Sequence, residues 1–112
     1  MSLTLLLRCN NLQKTREFYE SVLAFSVSAS AENTITVEKY GCKLLFTEAN
    51  LWNVAPALSG TMYFTVSELD DLYALVRDKV EVAWPLQNMG YGSREFGLTD
   101  CNGYLLAFQE RA

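Results

Sequence analysis

The sequence predicts an α+β fold of two tandem βαβββ modules, each a mixed sheet with a helix on one face. Three observations predict it. The order strand, helix, three strands occurs twice. Setting Thr4 over Thr61 also sets Leu12 over Leu69 and Phe18 over Leu75, a constant offset of the kind an internal duplication leaves. Finally, two alternating runs at residues 94–99 and 104–109 flank Asp100-Cys101-Asn102-Gly103, whose Asp at the start and Asn-Gly at the end accept turn geometry and positive φ. That is a β-hairpin, and because a lone hairpin is marginal in water the rest of the chain must cover it. The modules run over about residues 1–50 and 60–112 of a single domain, with a connector at 51–59.

In residues 3–9, Leu3, Leu5, Leu7 and Cys9 face one way and Thr4, Leu6 and Arg8 the other, the period of a strand. Asn11 can cap a helix over residues 12–23, where Leu12, Thr15, Phe18, Tyr19, Val22 and Leu23 form a stripe at helical spacing. Residues 25–31, 34–39 and 42–48 read as strands joined by tight turns at Glu32-Asn33 and Tyr40-Gly41. Residues 49–60, with Trp52, Pro56 and Gly60, lack periodicity. The order then restarts with a strand at 61–66, Ser67 as an N-cap with Asp70 three residues on, a helix at 69–79 and a strand at 80–86 before the hairpin. Leu5, Leu7, Met62, Phe64 and Val66 belong beneath the helices. The opposite faces carry Thr4, Leu6, Arg8, Thr61, Tyr63 and Thr65, too mixed for a dry core and too apolar for an ordinary wet surface, as in a small-molecule site.

Composition narrows the function. A chain of 112 residues that is 50% hydrophobic can fill a core without a metal or disulfide. Its net charge of −4 excludes the basic clusters that nucleic acid demands and leans weakly towards a cationic ligand, against which Arg8 and Lys43 on the cavity side lean the other way. No segment has the apolar length to span a bilayer, and no basic-then-apolar leader pattern is seen, so a cytoplasmic location is expected. The three cysteines form no CxxC and read as reduced structural thiols. Histidine is absent, which removes the commonest metal ligand and rules out Ser-His-Asp and Cys-His arrangements.

Asn11-Leu12, Phe18-Tyr19 and Leu23-Ala24-Phe25, with the segment from Tyr91-Gly92 through Phe108, resemble the motifs of the vicinal oxygen chelate superfamily, which includes glyoxalase I, bleomycin-resistance proteins, fosfomycin-modifying enzymes and ring-cleaving dioxygenases. Trp84-Pro85-Leu86 is similar to the bleomycin-resistance subgroup. Asn11 stands where the pattern has Asp, Ala24 where it has Gly, and Cys101 where it has Pro. The resemblance implies metal ligands at Thr4, Thr61, Leu45 and Ala107, none of which is a competent donor, so neither metal nor other cofactor is expected. It also implies a homodimer whose clefts bind a small molecule, such as an antibiotic or another hydrophobic or planar ligand.

The expected ligand-binding residues are Thr4, Leu6, Arg8, Leu45, Trp52, Thr61, Tyr63, Tyr91, Ala107 and Gln109, with no catalytic residue. Arg8 can anchor an anion or carbonyl, or simply end a strand in water; Trp52 and Tyr91 can stack on a ligand, or lid the core. Trp84 reads as structural, Glu48 and Glu110 as solvated strand-end charges. Gly90 and Gly92 make no phosphate loop. The alternatives are a metal-dependent lyase or dioxygenase-type enzyme, in which Glu48, Glu95 or a tyrosine would have to move protons, and a dimerisation or regulatory module without ligand.

Overall fold

The computed structural model describes residues 3–110, so residues 1–2 and 111–112 of the expected modules lie outside the described residues. The chain divides into two compact units, one up to Ala57 and one from Leu58 onward. In the first, β1 (Leu5–Arg8) leads through helix α1 (Leu12–Glu17) and a π-helical turn (Phe18–Val22) to β2 (Ser26–Ala31), β3 (Thr34–Lys39) and β4 (Cys42–Thr47). In the second, β5 (Thr61–Val66) is followed by α2 (Leu69–Val76), β6 (Glu81–Asn88), β7 (Arg94–Thr99) and β8 (Leu105–Glu110). The architecture is α+β, with two four-stranded mixed sheets in the orders β1-β4-β3-β2 and β5-β8-β7-β6. Each opening strand pairs in parallel with the last strand of its own unit, and the other pairings are antiparallel.

Asn11 caps α1 as expected, its side-chain oxygen accepting the Lys14 N–H at 2.9 Å. The π-helical turn widens the helix so that Thr15, Tyr19 and Leu23, four residues apart, all point inward and are buried. Ala24 then adopts φ 60° while the Phe25 N–H reaches back to the Tyr19 carbonyl at 2.8 Å, a left-handed helix end held by a non-glycine residue. Tyr19 packs its ring against Phe25 and Phe46, with centroids 5.4 and 5.0 Å away. The second core is a slide of rings: Phe64 stacks on Phe108 at 5.2 Å, Phe108 on Phe96 at 5.4 Å, and Tyr73 of α2 tilts onto Phe96 at 4.9 Å.

Four local expectations are corrected. Ser67 does not cap α2: the cap is Glu68, in left-handed geometry at φ 44° with no side-chain hydrogen bond, and the Asp70 carboxylate instead receives the Arg94 guanidinium at 3.1 Å. Starting from that cap, α2 turns Leu69 and Val76 inward and leaves Leu75 exposed, so Leu75 is no packing equivalent of Phe18. The helix also ends at Val76 rather than 79. Leu3 lies outside β1 and is 79% exposed, because pairing starts at Leu5 against Leu44. The hairpin forms as read, Phe96 opposite Phe108 and Leu98 opposite Leu106, all buried. Its turn is held by the Asp100 carboxylate, which accepts from the Asn102 and Tyr104 N–H groups, while Gly103 takes φ +91°. Among the described residues, no helix is long and apolar enough to cross a membrane.

Candidate ligand-binding site

Each sheet turns one face to its helix and leaves the other free of it, and strand alternation decides which residues occupy the free face. In the second unit, Phe64, Phe96, Leu98, Leu106 and Phe108 take the helix side. Thr61, Tyr63 and Thr65 of β5, Glu95 and Gly97 of β7, and Leu105, Ala107 and Gln109 of β8 are therefore left on the opposite face. Tyr63 lies opposite Ala107, Ala107 opposite Gly97, and Gly97 opposite Trp84, so these residues form one row across four strands.

Gly97 is needed in that row: a Cβ there would sit 2.5 Å from the Trp84 ring, which lies directly against the backbone. The close approach carries the indole N–H to Glu95, to whose Oε2 it donates at 3.1 Å, while the Tyr91 hydroxyl donates to Oε1 at 2.6 Å. Glu95 is 0% exposed. The bond to Glu95 pushes the Tyr91 phenol above the usual value of 10.0, and the neighbouring Tyr63 adds to the shift. Tyr63 and Tyr91 are 48% and 65% exposed, so the chain of contacts runs from a buried carboxylate out to two accessible rings. Beside it the Gln109 amide donates to Thr65 at 3.1 Å and accepts from Ser93 at 3.4 Å.

The first unit carries a different set at matching register. Leu6 lies beside Leu45, Leu45 opposite Thr36, and Arg8 beside Thr47, whose hydroxyl accepts from that of Thr34 at 3.1 Å. The Arg8 guanidinium donates to the Val54 carbonyl, tying the connector to the end of β1. Thr4 lines an open groove of about 270 Å³ with Leu3, Glu38, Lys39, Gly41, Cys42 and Lys43. Trp52 is exposed on the connector and holds no position in either sheet. Glu48 is exposed, as expected of a solvated charge, and also accepts the Leu12 N–H at 2.7 Å, joining Asn11 in closing the start of α1.

Of the residues singled out from sequence, the structure thus gathers Thr61, Tyr63, Tyr91, Ala107 and Gln109 in the second unit and sets Leu6, Leu45 and Arg8 on neighbouring rungs in the first. It adds two that sequence reading left out of the site, Trp84 and Glu95. Alternation about Phe96 already placed Glu95 on the free face. The irregular pairing of β6, which brings Trp84 over Gly97, had no signal in the residue pattern.

The donor chemistry for a divalent metal does not fit. Thr4, Leu45, Thr61 and Ala107 offer no imidazole or carboxylate, and among the described residues no three His, Cys, Asp or Glu side chains cluster closely enough to hold an ion.

The family model described as Glyoxalase/Bleomycin resistance protein/Dioxygenase superfamily matches residues 3–108. Among solved structures, a member of that superfamily from Sphaerobacter thermophilus superposes with a TM-score of 0.83 at 17% identity, covering 99% of this chain and 98% of that one. TioX from Micromonospora gives 0.82 at 14% identity, covering 100% and 99%. A glyoxalase/bleomycin resistance protein/dioxygenase from Alicyclobacillus acidocaldarius gives 0.79 at 19% identity, covering 98% and 90%. At these identities the likeness is one of fold. No protein of curated function matches.

Proposed function

We propose, from the premise that this chain belongs to the glyoxalase/bleomycin resistance protein/dioxygenase superfamily, that it binds a small planar organic molecule and holds it unchanged, without a metal. The observation that carries this reading is the cluster of Trp84, Glu95, Tyr91 and Tyr63 on the free sheet face of the second unit. Aromatic faces with a few fixed polar atoms are what an organic ligand needs for burial and orientation. The absence of donor side chains at Thr4, Leu45, Thr61 and Ala107 supports binding over metal-assisted chemistry. An antibiotic fits this description of a ligand, and sequestration of one would confer resistance.

The test is a titration read by the fluorescence of Trp52 and Trp84, against bleomycin and a panel of planar small molecules, each with chelator and with added divalent metal. Saturable binding in chelator, unchanged by metal, is the expected outcome. Binding or turnover that requires metal would replace this reading with the enzyme. The proposal includes pairing of two chains, since the outer strands β1, β2, β5 and β6 leave ladder groups unpaired at the sheet edges. Sedimentation equilibrium is expected to give a dimer; a clean monomer at micromolar concentration would remove that part.

A further inference from the structure

Glu95 is a fully buried carboxylate whose hydrogen-bond donors are neutral, an indole N–H and a phenol. Among the described residues no cation pairs with it. The guanidinium of Arg94, its neighbour in sequence, is directed to Asp70 at 3.1 Å and Asn88 at 3.5 Å. The other side chains of the same face, Thr61, Tyr63, Thr65, Ala107 and Gln109, are all uncharged. Removing a carboxylate from water without a counter-charge is expensive, and two neutral donors offset only part of that cost. A carboxylate has about four acceptor positions, so one with two donors retains capacity for more.

Resting on the binding reading above, we infer that the ligand of the second unit is a planar cation bearing N–H donors, an amidinium or protonated heteroaromatic amine, which takes the place of the Tyr91 hydroxyl on Glu95. Tyr91 is built to give way. It lies between Gly90 and Gly92, the latter at φ +92°, in a turn closed by the Met89 and Gly92 N–H groups, and its ring is 65% exposed. An N⁺–H donor brings the counter-charge that a phenol lacks, so the exchange favours the cation. The half-buried Trp84 indole supplies an aromatic face beside the carboxylate, and a cation is attracted to such a face. Anions meet the reverse, a buried negative charge with no cation near it.

The test uses the full chain carrying Trp52→Phe, which leaves Trp84 as the sole tryptophan reporter, titrated with benzamidine, benzamide and benzoate at neutral pH. Benzamidine is expected to bind at least tenfold more tightly than either of the others. Tyr91→Phe, which removes the competing donor from an exposed loop without touching the core, is expected to tighten benzamidine several-fold and to widen its preference over benzamide. Glu95→Gln, provided it folds, is expected to abolish the preference. If benzamide or benzoate binds as well as benzamidine, or Tyr91→Phe weakens benzamidine, the cation inference falls while the binding reading stands. If none of the three perturbs Trp84, both fall.

Discussion

The two units share a ladder and differ in what the ladder displays. Ile35 opposite Phe46 in the first corresponds to Phe96 opposite Phe108 in the second, and this match fixes the rest: Leu6 corresponds to Tyr63, Arg8 to Thr65, Thr34 to Glu95, Thr36 to Gly97, Leu45 to Ala107 and Thr47 to Gln109. On the helix side every exchange keeps an apolar group. On the free side almost every exchange changes the chemistry. In the first unit two hydroxyls satisfy each other and an arginine ties down the connector. In the second, trimming Thr36 to Gly97 and Leu45 to Ala107 leaves room for an indole, and the indole in turn satisfies a buried carboxylate. Burial constrains one side to remain hydrophobic, whereas the other is constrained only by what it must meet, so a duplicated fold can hold one new site while its twin remains plain.

The largest effects test the shared side. Phe46→Ala and Phe108→Ala should each cost about 3–5 kcal/mol in denaturant unfolding, since each removes a buried ring at the centre of its aromatic cluster. Only Phe108→Ala should also change the native emission of Trp84. Next, Gly97→Ala should cost about 1–3 kcal/mol and shift Trp84 emission to the red, because its methyl displaces the indole. At the matching position, Thr36→Ser should cost less than about 1 kcal/mol, and an equal cost at both would mean that the indole is not held by Gly97. The caps sharpen the contrast further. Asn11→Ala should lose about 1 kcal/mol, whereas Glu68→Ala should lose almost nothing and Glu68→Gly should gain up to about 1 kcal/mol by relieving the left-handed backbone.

The smallest effect is in alkali. The hydrogen bond to Glu95 raises Tyr91 above 10.0, and burial raises Tyr40 in the first unit. Both phenols are thus held protonated by folding. Their contribution is fully present below the unfolded value near 10 and is lost as pH rises through the folded one. Tyr91→Phe and Tyr40→Phe should each flatten the alkaline fall in stability, measured by urea midpoints across that range. A spectrophotometric titration of Tyr91→Phe should lack one phenol that ionises above 10.0 in the parent.

Periodicity made the scaffold legible. Thr61–Val66 and Arg94–Thr99 fall where alternation set them, and the Asp100 turn forms from the residues that signal it. Strand faces were legible as well, which is why Tyr63, Ala107 and Gln109 lie together as expected. Ser67 misled because a serine followed three residues later by an acid satisfies the local pattern of a cap, while Arg94, 24 residues from Asp70 along the chain, draws that acid away. Trp84 misled for a related reason. Its role depends on an irregular rung and on the missing Cβ of Gly97, facts of pairing that no local run of residues states.

The strand order has a consequence for how each unit comes together. In both sheets the final strand lies inside, between the first strand and the third, so the sheet is finished by insertion rather than by addition at an edge. Until β8 arrives, the apolar side of β5, with Met62, Phe64 and Val66, has no neighbour in its own sheet. During synthesis the first unit can therefore close while the second still shows an open seam, and the interval before insertion is when the growing chain is most prone to clump with its own kind.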